Sequence, residues 1–275
     1  MEYQIISGNV VEIRRCMLSS RQALAVGKKR APRTAGNSSK KKIDANEREA
    51  VKRLARIINC NFRPGDLWLT LKYSDDRLPA DLDEADKTIA KFLRKVRAAY
   101  KKETGQKLRY ILCTSETSTK TGSKTRLHHH LVMDRMAYEI ICRYWPQAEI
   151  SYSLLDGRGD HTALAKYIVR NFGGEAGRKR WSCSRGLDKP IYTEPVPVGS
   201  VEGIRAPAGA DIRENLLIVD EDFGVQAAYM RAVLPEKPTV RGGVVCYRKP
   251  KRKHRRAEHM SVLKRSFPLS LRGKP

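Results

Sequence analysis

The chain predicts an α+β fold: a ferredoxin-like split βαβ antiparallel sheet with helices packed on one face, plus basic disordered termini. Three observations carry this expectation. Between residues 44 and 172 the apolar period alternates between about 2 and about 3.6, in the order helix, strand, helix, strand, strand, helix, strand, helix. Two consecutive strand patterns, "KLRYILCTSE" and "TRLHHHLVMD", are joined by the turn-rich "TSTKTGSK", which makes them a hairpin and the sheet antiparallel. The charge, finally, is concentrated at the ends. Lys and Arg total 55 against 30 Asp and Glu, a net +25, of which residues 1–43 hold +8 and residues 241–275 hold +11.

Taken in order, "MEYQIISGNVVEIRR" is a short strand-like start, and residues 18–43 form a basic arm rich in Gly, Ser, Pro and Lys without a period. "DANEREAVKRLARIINCNF" opens with an Asp44–Glu47 capping box and sets Val51, Leu54, Ala55 and Ile58 on one helical face. Pro64-Gly65 closes that unit, and "DLWLTLKY" alternates Leu67, Leu69 and Leu71 against Trp68, Thr70 and Lys72 as a strand does. A second box, Asp81 with Glu84, starts a long helix that keeps its spacing through Ile89, Phe92, Val96 and Tyr100 to a stop at Gly105. After the hairpin come a short helix ("AYEIICRYW"), a strand ("AEISYSLLD") and a helix in "DHTALAKYIVRNF" with Asp160 as N-cap. Residues 196–275 comprise a linker, a small accessory α/β segment in which "NLLIVDEDFGVQAAYMRAVL" supplies a strand and a helix, and a basic tail. The expected division is therefore 1–43, 44–195 and 196–275.

A length of 275 residues suffices for a packed core, and an excess of positive charge this large points to a polyanion such as nucleic acid. No apolar run approaches the ~18 residues that span a bilayer, and the first residues lack the order of a signal peptide, so the expected location is the cytoplasm. Cysteines at 16, 60, 113, 142, 183 and 246 form no CxxC pair, which argues against a disulfide framework or a zinc ribbon.

On a strand, alternate side chains share a face, so His128 and His130 point one way and His129 the other. Two such imidazoles can chelate a divalent cation, although a polar strand edge has the same pattern. Hairpin pairing would bring Glu116 from the preceding strand toward them, and two imidazoles with one carboxylate suit Mg²⁺ or Mn²⁺ bound to a phosphate oxygen. A metal that polarises a phosphate needs a nucleophile in line, and Tyr167 is the candidate, beside Lys166 and one turn before Arg170. The plain alternative for Tyr167 is a tyrosine half-buried at a helix–sheet contact.

In chain order, "LWLTLKY", Glu116, "HHHLVM" and "AKYIVR" resemble the HUH endonuclease superfamily, specifically the rolling-circle replication initiators of phages and plasmids, including the filamentous-phage type. The resemblance covers roughly residues 66–172, with "RKRWSCSRGLDKP" similar to the basic segment that follows in such proteins. It implies that residues 44–195 are an HUH catalytic domain, that His128, His130 and Glu116 bind the metal, and that Tyr167 attacks a scissile phosphate of single-stranded origin DNA. The product would be a 5′-phosphotyrosine and a free 3′-OH, used by host helicase and polymerase without a small-molecule cofactor. Lys72, Arg126, Arg178, Lys179, Arg180, Arg185 and Lys189 would contact the DNA. Three departures stand out: the middle residue of the HUH triplet is His129 rather than a bulky hydrophobe, Ala163 replaces the first tyrosine of two-tyrosine relatives, and Arg170 stands where single-tyrosine relatives often have Lys. A non-catalytic RNA-recognition-like module and an HUH transposase or relaxase are the competing readings.

Overall fold

The computed structural model describes residues 1–17, 40–117, 124–172, 179–220, 225–242 and 244–247. The basic tail beyond residue 247, and all of the arm between 18 and 39, lie outside the described residues.

One antiparallel sheet is built from β3 (Leu67–Leu71), β4 (Tyr110–Thr117), β5 (Lys124–Met133), β6 (Ile150–Leu154) and the short β7 (Ser182–Cys183), in the order β6-β3-β5-β4-β7. Its first four strands in chain order therefore lie fourth, first, third, second, the arrangement of a split βαβ unit. Among the described residues the helices are α1 (Lys40–Asn61), α2 (Leu82–Thr104), α3 (Tyr138–Tyr144) and α4 (Thr162–Asn171). The α+β antiparallel architecture is the one the sequence predicts, with one correction: the helices cover both faces of the sheet. Leu67, Leu69, Leu71, Leu112, Leu131 and Met133 meet α2 and α3 on one side. Ile111, Cys113 and Val132 meet α1 and α4 on the other. Both sets of alternate strand residues are apolar, so neither face can be left to water.

Local signals account for most boundaries. Asp81 accepts from the Glu84 backbone N–H at 2.8 Å while the Glu84 carboxylate accepts from the Ala80 N–H at 2.8 Å, and Gly105 takes the left-handed conformation that ends α2. At α1 the helix begins at Lys40, about a turn before the Asp44–Glu47 box, so Asp44 lies inside it. At α4 the cap position falls on His161, one residue after the expected Asp160, yet Asp160 still accepts from the Thr162 N–H at 3.1 Å and its hydroxyl at 2.6 Å.

A second antiparallel sheet joins the two ends of the chain: β8 (Ile191–Tyr192), β1 (Glu2–Ser7), β2 (Val10–Met17), β10 (Val225–Val233) and β9 (Asp211–Asp220), in that order. The helix expected within "NLLIVDEDFGVQAAYMRAVL" is thus a strand. β10 hydrogen-bonds to both β2 and β9, and its Met230 and Ala232 fill a small core with Ile6, Val11 and Ile13. Gly8 turns β1 into β2 at φ +60°, and a Cβ there would run into the carbonyl oxygen of Asn59 in α1. β11 (Thr239–Arg241) and β12 (Val244–Cys246) form a separate hairpin.

Two ionic clusters fasten this sheet to the first unit. Arg56 of α1 donates to both carboxylate oxygens of Glu12 at 2.6 and 2.7 Å, and the Tyr229 hydroxyl donates to the same carboxylate at 3.1 Å. Both partners of the ion pair are buried. Burial alone would raise the Glu12 carboxyl, but the hydrogen bonds and charge of Arg56 outweigh it and hold it below the ordinary carboxylate range. Arg231 of β10 reaches Asp160 at 3.2 Å and Glu214 at 3.3 Å. No helix among the described residues is long and apolar enough to cross a membrane.

Candidate active site

β5 lies between β3 and β4, with His128 opposite Ser115, His129 opposite Thr114 and Leu71, and His130 opposite Cys113 and Thr70. Strand parity sends His129 toward α2 and α3. There it is fully buried, with Nε2 2.6 Å from the Tyr73 hydroxyl and Nδ1 3.0 Å from the Thr114 hydroxyl. Burial, followed by the neighbouring His128, pushes its pKa down to about 3, so the ring is a neutral hydrogen-bonded core group.

His128 and His130 occupy the opposite face. The His128 Nδ1 is 2.8 Å from the Arg126 carbonyl oxygen, which can only accept, so Nδ1 carries the proton and the neutral ring presents an Nε2 lone pair. His130 stacks on the Trp68 indole at 5.0 Å with its Nδ1 3.1 Å from the Thr70 hydroxyl, which fixes the ring from the side away from its partner. The two Nε2 atoms then face each other across 3.1 Å. Two bonds of about 2.1 Å meeting at a right angle would set their donor nitrogens about 3.0 Å apart, so this pair fits one divalent ion in adjacent coordination positions. Burial and the neighbouring His128 push His130 down to about 3, which keeps it neutral and able to donate a lone pair at ordinary pH.

Tyr167 reaches the same place from α4. Ala165, Ile168 and Val169 anchor that helix in the core it shares with α1, and Tyr167 flanks them with 40% of its surface exposed. Its ring lies 5.1 Å from that of His130 and 5.8 Å from that of Trp68, edge-on to both. Trp68 and Thr70 are the site residues that sequence reasoning passed over as the polar side of a strand. The available signal was their position on the face opposite Leu67, Leu69 and Leu71, the same parity that selects His128 and His130.

Other expected site residues are placed elsewhere. Glu116 does not join the histidines: it lines a surface hollow with Asp83, Thr125 and Arg126. The physical reason is an irregularity in the β4–β5 ladder between Ser115 and Thr117, which leaves Ser115 as the residue opposite His128. Among the described residues no group of three or more His, Cys, Asp or Glu side chains is arranged to hold a metal. Arg170 donates to Glu47 of α1 at 2.9 Å, and Lys166 is exposed. Arg126 bonds to Asp75 at 2.5 Å and to the Tyr73 carbonyl at 3.0 Å, while Lys72 pairs with Glu149 at 3.1 Å. Lys179 and Arg180 line a groove beside β4, Arg185 and Lys189 are exposed, and Arg178 lies outside the described residues.

Fold and site together define an α+β unit in which an antiparallel split-βαβ sheet presents a histidine pair beside a helix-borne tyrosine. Residues 66–172, from the residue before β3 to the residue after α4, match the family model of replication-associated proteins of the ORF2 and gene-2-protein type. The segment that holds the site is therefore similar to replication-associated proteins, which supports a role in DNA replication. Comparison with curated proteins and with solved structures gave no match.

Proposed function

We propose that the protein is an HUH-type rolling-circle replication initiator that nicks and rejoins single-stranded origin DNA through Tyr167. The observation that carries this reading is the facing Nε2 pair of His128 and His130, 3.1 Å apart, with the Tyr167 ring 5.1 Å from His130 inside the family-matched segment.

In the forward step the Tyr167 oxygen attacks the scissile phosphorus. Its proton passes to solvent, the bond from phosphorus to the 3′ oxygen breaks, and that oxygen takes up a proton to become a free 3′-OH. The new phosphotyrosine ester retains the bond energy of the ester it replaces, so attack by a 3′-OH rejoins the strand without a nucleotide cofactor. His128 and His130 would hold Mg²⁺ or Mn²⁺, which when bound polarises a phosphoryl oxygen. Thr70 and Trp68 keep the His130 ring in place for that task, and the partial exposure of Tyr167 gives the phosphate access to its oxygen. Lys166 and Arg170 stand close enough in sequence to assist the phenol. The 3′-OH is what a host polymerase extends, behind a host helicase, in the cytoplasm where both work.

The test is incubation of the protein with a labelled single-stranded DNA library and Mn²⁺, followed by denaturing electrophoresis. Wild-type protein should give a covalent adduct, and Tyr167→Phe none. Adduct that survives Tyr167→Phe removes this nucleophile, and DNA binding without any wild-type adduct would make the protein a binding module.

A further inference from the structure

We infer that a groove along α2, separate from the histidine–tyrosine face, is a binding track for single-stranded DNA. It consists of two adjoining hollows of about 430 and 800 Å³ that share Arg94, Arg97 and Tyr110. One wall is the exposed face of α2, where Arg94, Arg97 and Lys101 follow one another at helical spacing over about 10 Å of axis. Lys179, Arg180 and Arg185 line the opposite wall, on the segment that contributes β7. Lys107 stands at the far end.

Two features distinguish this groove from an ordinary basic surface. Several other cations are matched with carboxylates: Lys72 with Glu149, Arg126 with Asp75, Arg170 with Glu47 and Arg231 with Asp160. Among the described residues no ion pair involves any cation of the groove walls, and Asp86 is the only carboxylate that lines the two hollows. The floor also carries aromatic rings: Tyr110, Trp181 and Phe172 line the first hollow. A cationic channel with aromatic faces is what a flexible single strand requires, because phosphates follow the charge while bases stack on the rings. A duplex keeps its bases stacked inside and has no use for the rings.

The groove also connects with the site already described. Phe172 follows directly on α4, five residues beyond Tyr167, about 8 Å along the helix axis. That the track carries the same strand that Tyr167 engages rests on the nicking reading above; affinity of the groove for single-stranded DNA does not.

The experiment uses full-length Tyr167→Phe protein, so that binding is read without chemistry, and a fluorescent oligothymidylate of about 20 residues, long enough for the site sizes such grooves occupy. Each exposed phosphate contact contributes about 0.7 to the salt slope for a single strand, so Arg94→Ala/Arg97→Ala/Lys101→Ala should lower that slope by about 2 and weaken binding at least about tenfold at low salt. Trp181→Ala should weaken binding about tenfold with the slope unchanged, since stacking releases no counterions. The arginines and Lys101 are exposed on α2, so the triple variant keeps its fold, which the thermal midpoint verifies. An unchanged affinity and slope in the triple variant would overturn the inference. So would equal competition by a duplex of the same length, or tighter binding of oligouridylate, which would assign the groove to RNA.

Discussion

His128, His129 and His130 are adjacent in sequence but face two chemical environments. His129 is closed in by Tyr73 and Thr114, whereas the free edges of His128 and His130 meet beside Tyr167. His128→Ala and His130→Ala should each abolish Mn²⁺-dependent adduct formation. His129→Leu should retain adduct yet lower stability by about 1–3 kcal/mol, because the Tyr73 and Thr114 hydroxyls lose a buried partner. Denaturant titration beside the adduct assay separates the two effects, and adduct lost in His129→Leu alone would reverse the strand parity. Glu116→Gln should leave metal binding close to wild type, since Glu116 lies with Asp83 and Arg126. Thr70 makes a finer test. Its hydroxyl holds the His130 Nδ1, and Thr70→Val should weaken Mn²⁺ binding about 10- to 100-fold, measured by calorimetry, with little change in the fold.

At the scale of elements, the contact between β2 and α1 depends on one ion pair. Arg56→Met leaves the Glu12 carboxylate buried with its main partner gone, which should cost about 3–5 kcal/mol in chemical denaturation. Because the folded pKa of Glu12 lies below its ordinary value, this contribution is complete above about pH 4.5 and disappears as pH falls through the lowered folded value. Glu12→Gln should accordingly flatten the acid limb of a stability–pH curve while leaving the neutral limb parallel to wild type. The elements from β3 to α4 were legible in the sequence because their signals are local: the capping box at Asp81, the alternation of Leu67 to Leu71, the turn between β4 and β5. β10 was not. Its "QAAYMRAV" is rich in helix formers, and it becomes a strand through pairing with β2, about 200 residues earlier in the chain, and with β9. Glu116 failed for a related reason, since an irregularity between Ser115 and Thr117 changes which residue faces the histidines without altering the apolar pattern.

At the scale of the whole molecule, the second sheet couples the ends of the chain to the unit that holds the candidate site. β2 is its central strand, paired with β1 on one side and β10 on the other, so residues 1–17 supply what the later strands need to complete their ladder. Removing them takes away Ile6, Val11 and Ile13 from the core around Met230 and Ala232, and leaves Arg56 buried in α1 without Glu12. The damage should not stop there, since α1 packs directly on α4, the helix that carries Tyr167. A chain starting at residue 18 is therefore expected to expose β10 to proteolysis, to lose several kcal/mol of stability, and to form less adduct even though every candidate catalytic residue remains. Limited proteolysis with mass mapping, run beside the adduct assay, checks both parts. Full adduct yield from a truncated chain cleaved within residues 225–233 would mean that the two sheets fold independently and that the second serves the site in no structural way.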